Sequence, residues 1–206
     1  TGAGERAFVA GADIDALAAM TPTQAGQFAE HAQAILQRLE LLPVPTVAAV
    51  NGYALGGGCE VMLACDLVYA SERARFGQPE VNLGIVPGFG GSQRLPRRIG
   101  PMRALEMLLT GEPVDAVRAR EMGLVLEVLP PDRLLGHTRD QVRKILSRGP
   151  LAIARVKRLV HAGAGMPLAT ANELERQTFA AVFASEDARE GTRAFVEKRP
   201  PRFRGA

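Results

Sequence analysis

The chain has 206 residues, of which 47% are hydrophobic and 23% charged, so it can bury a substantial core as a globular protein. A net charge of +3 suits a phosphate-bearing ligand, but it is too small for a nucleic-acid-binding surface, and 5% aromatic residues without tryptophan offer few base-stacking platforms. No apolar run is long enough to cross a membrane as a helix, so neither nucleic acid nor membrane is an expected partner.

The N-terminal part of the chain alternates strand and helix signals. A short strand is predicted over residues 7–10, followed by a tight corner at Gly11, Ala12 and Asp13. Thr21 and Pro22 are typical of a helix N-cap and first turn, and apolar residues then recur at helical spacing until near Pro43. The next element is an apolar strand over residues 46–50.

A glycine run at residues 56–58 joins this strand to a helix predicted over 60–64. Glycines let a backbone approach a ligand closely, because no side chain blocks the way. The first amides of a helix have no partner within the helix and lie at the positive end of its dipole. The run therefore predicts a site that favours a negative oxygen, although the same glycines could also be a packing turn.

The remaining chain becomes progressively helical. After a strand over 67–69, residues 76–96 are rich in glycine and proline and are predicted to form a functional loop. The following predictions are helices over 104–109 and 116–122, a strand over 124–128, helices over 132–147, 150–162 and 167–195, and a basic tail over 198–204. We therefore predict an α/β core over 1–130 and a C-terminal helical segment over 131–206.

Cys59 and Cys65 lie six residues apart without any metal-ligand partner at useful spacing, and are predicted to be buried, reduced thiols. The chain begins at Thr1 without a signal-peptide pattern, so we expect either a processed protein or a sequence that starts partway into a longer one. Arginine far outnumbers lysine, which favours a GC-rich bacterial source. The expected location is the cytoplasm.

Six segments carry a resemblance to a known family. In chain order they are AFVAGADI, PTVAAVNGYALGGGCE, ACDLVYA, FGQPEVNLGIVPGFGGSQRL, LTGEPVDA and REGTRAFVEKR. Together they resemble the enoyl-CoA hydratase/isomerase (crotonase) family, in the same order and at similar spacing. The resemblance implies an α/β spiral of β-β-α turns with a C-terminal helical segment, assembled as a homotrimer or homohexamer. The family also begins with a strand, helices and a second strand that this sequence lacks.

The resemblance also implies a reaction: addition of water to a trans-2-enoyl-CoA, giving a 3-hydroxyacyl-CoA, without metal or redox cofactor, since coenzyme A is part of the substrate. Glu60 and Glu80 match the family's catalytic carboxyl pair, and the amides of Gly57 and Ala12 match its oxyanion hole. Alone, Glu60 could be a solvated first-turn residue and Glu80 a surface residue of a loop. The positions that match contacts to coenzyme A or substrate are Ala10, Asp13, Ile14, Asp15, Gly88, Phe195 and Lys198.

Other functions remain open at this point. An isomerase, dehydratase or hydrolase of the family would use the same oxyanion hole. A non-catalytic assembly subunit is the alternative from a different class, because part of the substrate-binding wall would be missing. The C-terminal helices show more apolar residues than a short segment can bury alone, so subunit contacts are expected.

Overall fold

The computed structural model describes all residues from 1 to 206 and is an α/β structure with seven short strands and ten α-helices. It divides into two compact units. The first comprises residues 1–40 and 46–138, and the second comprises residues 41–45 and 139–206. No helix is both long and apolar enough to span a membrane.

All strands belong to the first unit. They are β1 (Ala7–Val9), β2 (Val47–Val50), β3 (Tyr53–Leu55), β4 (Leu67–Ser71), β5 (Arg75–Gly77), β6 (Val114–Asp115) and β7 (Glu127–Leu129). One sheet has the order β1-β3-β5-β6 and the other β2-β4-β7. Every pair is parallel except β5 and β6. Since β2 and β3, and then β4 and β5, fall into different sheets, the chain winds as a spiral that adds one strand to each sheet per turn.

Helices close the turns of this spiral. In the first unit they are α1 (Ile14–Ala18), α2 (Pro22–Glu40), α3 (Gly57–Leu63), α4 (Gly91–Ile99), α5 (Pro101–Thr110) and α6 (Ala116–Met122), with a 3-10 helix at Pro79–Leu83. The next helix, α7 (Pro131–Leu146), contains the division between the units.

The core of the first unit follows from the period-two alternation of its strands. On β2, Ala48 and Val50 pack into the main cluster with Phe76 and Leu95, while Ala49 points to a second cluster with Tyr69. Both faces of β2 are thus covered, which explains its uninterrupted apolar sequence.

Two predictions for the first unit are wrong in detail. The predicted loop over 76–96 contains the 3-10 helix and the first six of the nine residues of α4. The strand predicted over 124–128 is β7, at Glu127–Leu129, because the amide of Leu124 donates to the carbonyl of Ala119 at 2.8 Å and closes the end of α6. Leu124 and Val125 are buried loop residues, and their apolar sequence resembles that of a buried strand.

The second unit is helical. Its elements after α7 are α8 (Pro150–Gly163), α9 (Leu168–Phe183) and α10 (Glu186–Val196). The single helix predicted over 167–195 is two helices, because Ser185 caps α10 by accepting a hydrogen bond from the amide of Ala188 at 3.1 Å. The predicted basic tail is fixed to α10: Arg199 forms a bidentate pair with Glu190 at 2.7 and 2.9 Å, and the amide of Arg204 donates to Asp187 at 2.7 Å.

Candidate active site

The candidate site forms where two adjacent parallel strands end. Leu55 of β3 pairs with Gly77 of β5, so the residues that follow them emerge at the same edge of the sheet. One strand continues into α3, which carries Glu60, and the other into the 3-10 helix, which carries Glu80. The carboxyl ends of parallel strands are a usual place for ligand sites, and here they bring the two carboxyl groups together.

Glycines allow this close arrangement. Gly56 has φ of 52°, a conformation that other residues rarely adopt, and a Cβ there would lie 2.9 Å from Oε1 of Glu80. A Cβ on Gly58 would lie 1.8 Å from the carbonyl oxygen of Val9, so α3 could not pack this closely on β1 with any side chain there. The start of α3 is therefore held against the corner that follows β1.

Two backbone amides meet at this corner. Gly57 is the first residue of α3, so its N–H has no acceptor within the helix. The amide nitrogen of Ala12 lies 3.9 Å from the position that a Cβ on Gly57 would occupy. Two neighbouring N–H groups at the positive end of a helix can stabilise a developing oxyanion.

A cavity of about 400 Å³ opens at these amides, and its only charged lining residues are Glu60 and Glu80. Most of the lining is apolar, which suits an acyl chain beside a small number of placed polar groups. The apolar side chains come from α1, α2 and the segment around the 3-10 helix: Ile14, Leu17, Ala25, Phe28, Ala29, Leu83, Ile85, Val86 and Phe89.

Glu60 is held by backbone donors in a buried position. Its side chain is 1% exposed, and Oε1 accepts hydrogen bonds from the amides of Phe89 at 2.8 Å and Gly91 at 2.7 Å. Burial raises the pKa of Glu60, whereas the two amides and the charge of Arg94 act in the opposite direction. These donors favour the ionised carboxylate, the form that a general base requires.

Glu80 has a different environment. Burial raises the pKa of Glu80 to about 7; its own backbone amide opposes the shift, and the charge of Glu60 adds to it. Gln78 is fully buried beside it, and with its amide turned so that the nitrogen faces Glu80, it donates to both carboxylate oxygens at 3.0 and 3.1 Å. A carboxyl group that titrates near neutrality can give and take a proton.

Cys59 lies near both carboxyl groups, but its thiol is unreactive. Its thiol is fully buried, and burial, with the charges of Glu60 and Glu80, raises its pKa to about 12. The thiol stays protonated at neutral pH and is no nucleophile. Both Cys59 and Cys65 are buried and free of disulfides, as expected.

The cavity gathers most of the residues predicted for the site, but not all of them. Ala10, Ala12, Ile14, Gly57, Glu60, Glu80 and Gly88 line it. Asp13 and Asp15 do not: the carboxylate of Asp13 accepts hydrogen bonds from the amides of Asp15 and Ala16 and caps α1. Phe195 and Lys198 belong to the second unit, where Phe195 is 85% exposed.

Sequence reasoning missed the groups that hold the two carboxyl groups. They are Phe89 and Gly91, which donate to Glu60, Arg94, whose charge acts on Glu60, and Gln78, which lies beside Glu80. Glycines at 88, 90 and 91 were one available signal, because a glycine-rich loop exposes amides that can hold an anion.

A spiral of strand–strand–helix turns followed by a helical segment, with two carboxyl groups and two amides at one cavity, defines a protein of the crotonase fold. The chain belongs to the enoyl-CoA hydratase/isomerase family, whose family model matches residues 1–206.

Named relatives and solved structures agree with this assignment. The chain is 43% identical to short-chain-enoyl-CoA hydratase of Clostridium acetobutylicum over 199 residues, covering 97% of this chain and 76% of the relative. It is 42% identical to crotonyl-CoA hydratase of Syntrophomonas wolfei over 203 residues, covering 98% and 78%. The crystal structure of enoyl-CoA hydratase from Bacillus anthracis superposes with a TM-score of 0.96 at 42% identity, covering 100% of this chain and 80% of that one.

Proposed function

We propose that this protein is an enoyl-CoA hydratase, a lyase that adds water across the double bond of a trans-2-enoyl-CoA to give a 3-hydroxyacyl-CoA. The observation that carries the proposal is the pair of carboxyl groups in one apolar cavity, Glu60 held by two amides and Glu80 with a pKa of about 7. Relatives named short-chain-enoyl-CoA and crotonyl-CoA hydratase support the substrate class.

The thioester oxygen is expected to accept hydrogen bonds from the amides of Gly57 and Ala12. As water adds to the β-carbon, negative charge moves to this oxygen, and amides placed beforehand stabilise it without a proton transfer. Loss of one such donor costs on the order of 10²–10³ in rate in a well-studied enzyme.

The two carboxyl groups divide the proton transfers. Glu60, as the carboxylate, takes a proton from the water whose oxygen bonds to the β-carbon. Glu80, protonated near neutral pH, gives its proton to the α-carbon, so the elements of one water are added. Glu60 is then protonated and Glu80 ionised, and a proton passes between them or through solvent before the next turnover.

Coenzyme A and assembly complete the proposal. Ala10 and Ile14 line the cavity and are assigned to the pantetheine arm, with Asp13 and Asp15 next to them in the chain. Gly88 lines the same cavity and is assigned to the substrate. Phe195 and Lys198 are assigned to coenzyme A bound in a neighbouring subunit of a homotrimer or homohexamer. A cytoplasmic location stays a prediction from the sequence.

The direct test is turnover of crotonyl-CoA, followed as loss of the absorbance of the conjugated thioester. Loss of absorbance with formation of 3-hydroxybutyryl-CoA supports the hydratase. Conversion of a 3-enoyl-CoA to the 2-enoyl isomer without hydration would replace it with the isomerase. Binding of coenzyme A without any turnover would favour the non-catalytic subunit.

A further inference from the structure

Arg94 on α4 joins two parts of the first unit through an ion pair with Glu40, the last residue of α2. Its Nε donates to Oε1 of Glu40 at 2.7 Å, and its Nη2 donates to Oε2 at 3.1 Å. The two side chains are only 18% and 22% exposed. A bidentate pair of this kind fixes the plane and direction of the guanidinium group.

The third nitrogen of the same guanidinium group contacts the loop that holds Glu60. Nη1 of Arg94 donates to the carbonyl oxygen of Phe89 at 2.7 Å, and the amide of Phe89 donates to Glu60 at 2.8 Å. Gly90 lies between the two amides that bind Glu60, with φ of 102°, and a Cβ there would be 2.2 Å from Nη1. The loop is thus wrapped around the guanidinium group.

Electrostatics also connects Arg94 with Glu60. The charge of Arg94 acts to lower the pKa of Glu60, whereas the charge of Glu60 acts to raise the pKa of Cys59 and of Glu80. An ordinary surface ion pair contributes at most about 1 kcal/mol and leaves the site unaffected. Arg94 differs because each of its three side-chain nitrogens donates a hydrogen bond, one of them to the loop whose amides bind the carboxylate.

We propose that Arg94, oriented by Glu40, is a positioning residue for Glu60: it fixes the loop whose amides hold the carboxylate, and its positive charge favours the ionised form. This inference rests on the proposed hydratase function. Without Arg94, the amides of Phe89 and Gly91 lose their fixed direction, and the ionised form of Glu60 loses support. A smaller fraction of Glu60 is then available as base at a given pH, and the attacking water is held less well.

The experiment compares pH profiles of kcat and KM on crotonyl-CoA for wild type, Arg94→Met, Arg94→Lys and Glu40→Gln. Arg94→Met is expected to lower kcat about 10- to 100-fold near neutral pH, because a misplaced catalytic group costs this much. KM should change little, and the acidic limb of kcat/KM should move to higher pH, because the pKa of Glu60 rises. Arg94→Lys keeps the charge and should restore the limb but only part of kcat.

Glu40→Gln keeps the positive charge of Arg94 and weakens only the ion pair that orients it, so this variant should lower kcat less than Arg94→Met. The matched control is Arg118→Met. Arg118 lies on α6, is about half exposed, and pairs with Glu106 of α5 and Glu121 of α6. This control should leave both kcat and the pH profile unchanged. If Arg94→Met fails to fold by circular dichroism, Arg94→Lys and Glu40→Gln carry the test.

The experiment distinguishes failure of the proposed function from failure of the role proposed for Arg94. A wild-type protein that does not hydrate crotonyl-CoA overturns the proposed function. A wild type that hydrates it, with folded Arg94 and Glu40 variants that keep wild-type kcat and an unmoved acidic limb, overturns only the role of Arg94. A loss of thermal stability without a change in kcat or in the pH profile would likewise reduce the pair to a structural contact.

Discussion

Glu60 and Glu80 are the same residue type, but their surroundings differ, and we assign them different roles in the proposed mechanism. Two backbone amides reach Glu60, whereas burial holds the pKa of Glu80 at about 7. We expect Glu60→Gln and Glu80→Gln each to lower hydration roughly a thousandfold, about 4 kcal/mol in the barrier. The double variant should be little worse than either single one, because in the proposed mechanism both groups serve the same addition step.

Steady-state hydration of crotonyl-CoA and exchange of the α-proton with solvent check this prediction. Exchange should fail specifically in Glu80→Gln, because that carboxyl group faces the α-carbon in the proposed mechanism. Near-normal hydration by Glu60→Gln would reduce Glu60 to a residue at a helix start and favour the isomerase.

The pKa of Glu80 also predicts how stability depends on pH. Its value rises from 4.5 to about 7 in the folded chain, so folding stabilises the protonated form. This contribution is fully present below 4.5 and is lost as pH rises through 7. Glu80→Gln stays neutral and should be more stable than wild type by about 1–3 kcal/mol at about pH 8, with a smaller difference at about pH 5.

Urea unfolding of both proteins at the two pH values measures this difference. An unchanged gap between wild type and variant across the range would show that Glu80 titrates at its ordinary value in the folded protein. The same result would remove the reason for assigning the acid role to Glu80.

At the residue scale, the sequence points to candidate reacting groups but not to the residues that hold them in place. The resemblance points to Glu60, Glu80, Gly57 and Ala12 because they stand inside recognisable segments. Their supports depend on tertiary contacts: Arg94 is 54 positions from its partner Glu40, and no pattern of spacing encodes such a pair. Gln78 was readable only as a neighbour of Glu80, because its contact depends on the turn between them.

At the scale of elements, the packing of α3 on β1 places the two amides that we propose as oxyanion donors. Gly58→Ala would put a Cβ 1.8 Å from the carbonyl oxygen of Val9, so the helix must move away from the strand. We expect a loss of about 3 kcal/mol in the free energy of unfolding, together with lower hydration activity. Gly57 moves with the helix, so the amide pair at Gly57 and Ala12 is disturbed as well.

Gly26→Ala is the matched control, because a Cβ on Gly26 in α2 would meet nothing within 4 Å. Alanine is the better helix former, so this change should stabilise the protein by about 0.5–1 kcal/mol and leave activity unchanged. Thermal unfolding and crotonyl-CoA turnover of both variants measure the contrast. Equal stability of the two variants would mean that α3 and β1 are not in tight contact.

Long helices and the apolar strand β2 could be predicted from the sequence, since their periodicity extends over several residues. Among the elements that were missed, α1, β3, β5 and β6 have five residues or fewer and are too short for periodicity to appear. Their pairing is non-local, as when Tyr53 of β3 aligns with Ala7 of β1. The helix α4 was missed because Gly91 and Pro96 lie within it. The break between α9 and α10 was readable, because Ser185 followed by Glu186 and Asp187 is a typical helix start.

At the scale of the whole molecule, exposed apolar side chains of α9 predict assembly. Leu168, Phe179 and Phe183 are 76%, 67% and 61% exposed, and the two rings stack at 5.8 Å. Exposed apolar surface of this kind is typical of subunit interfaces. We expect a trimer or hexamer by light scattering at micromolar concentration, shifted toward smaller species by Phe179→Ser with Phe183→Ser. A monomeric wild type would contradict this.

Lys198 tests the proposed contact with a neighbour's coenzyme A. Lys198→Gln should raise KM for crotonyl-CoA, and the increase should shrink at high salt, because screening weakens a lysine–phosphate contact in the wild type as well. A substitution is better than truncation of the tail, since Arg199 and Arg204 fix that segment to α10. A salt-independent KM in the wild type would argue against the contact.

The alignment of Leu55 with Gly77 has an evolutionary consequence. Each turn of the spiral places one carboxyl group at the shared edge of the sheet, Glu60 from one turn and Glu80 from the next. The pairing of the strands between the turns depends on backbone hydrogen bonds and not on these side chains. A lineage can therefore exchange one reacting side chain without disturbing the alignment of the other. Such a scaffold can diverge toward new reactions by single substitutions while the backbone that carries the proposed oxyanion donors stays in place.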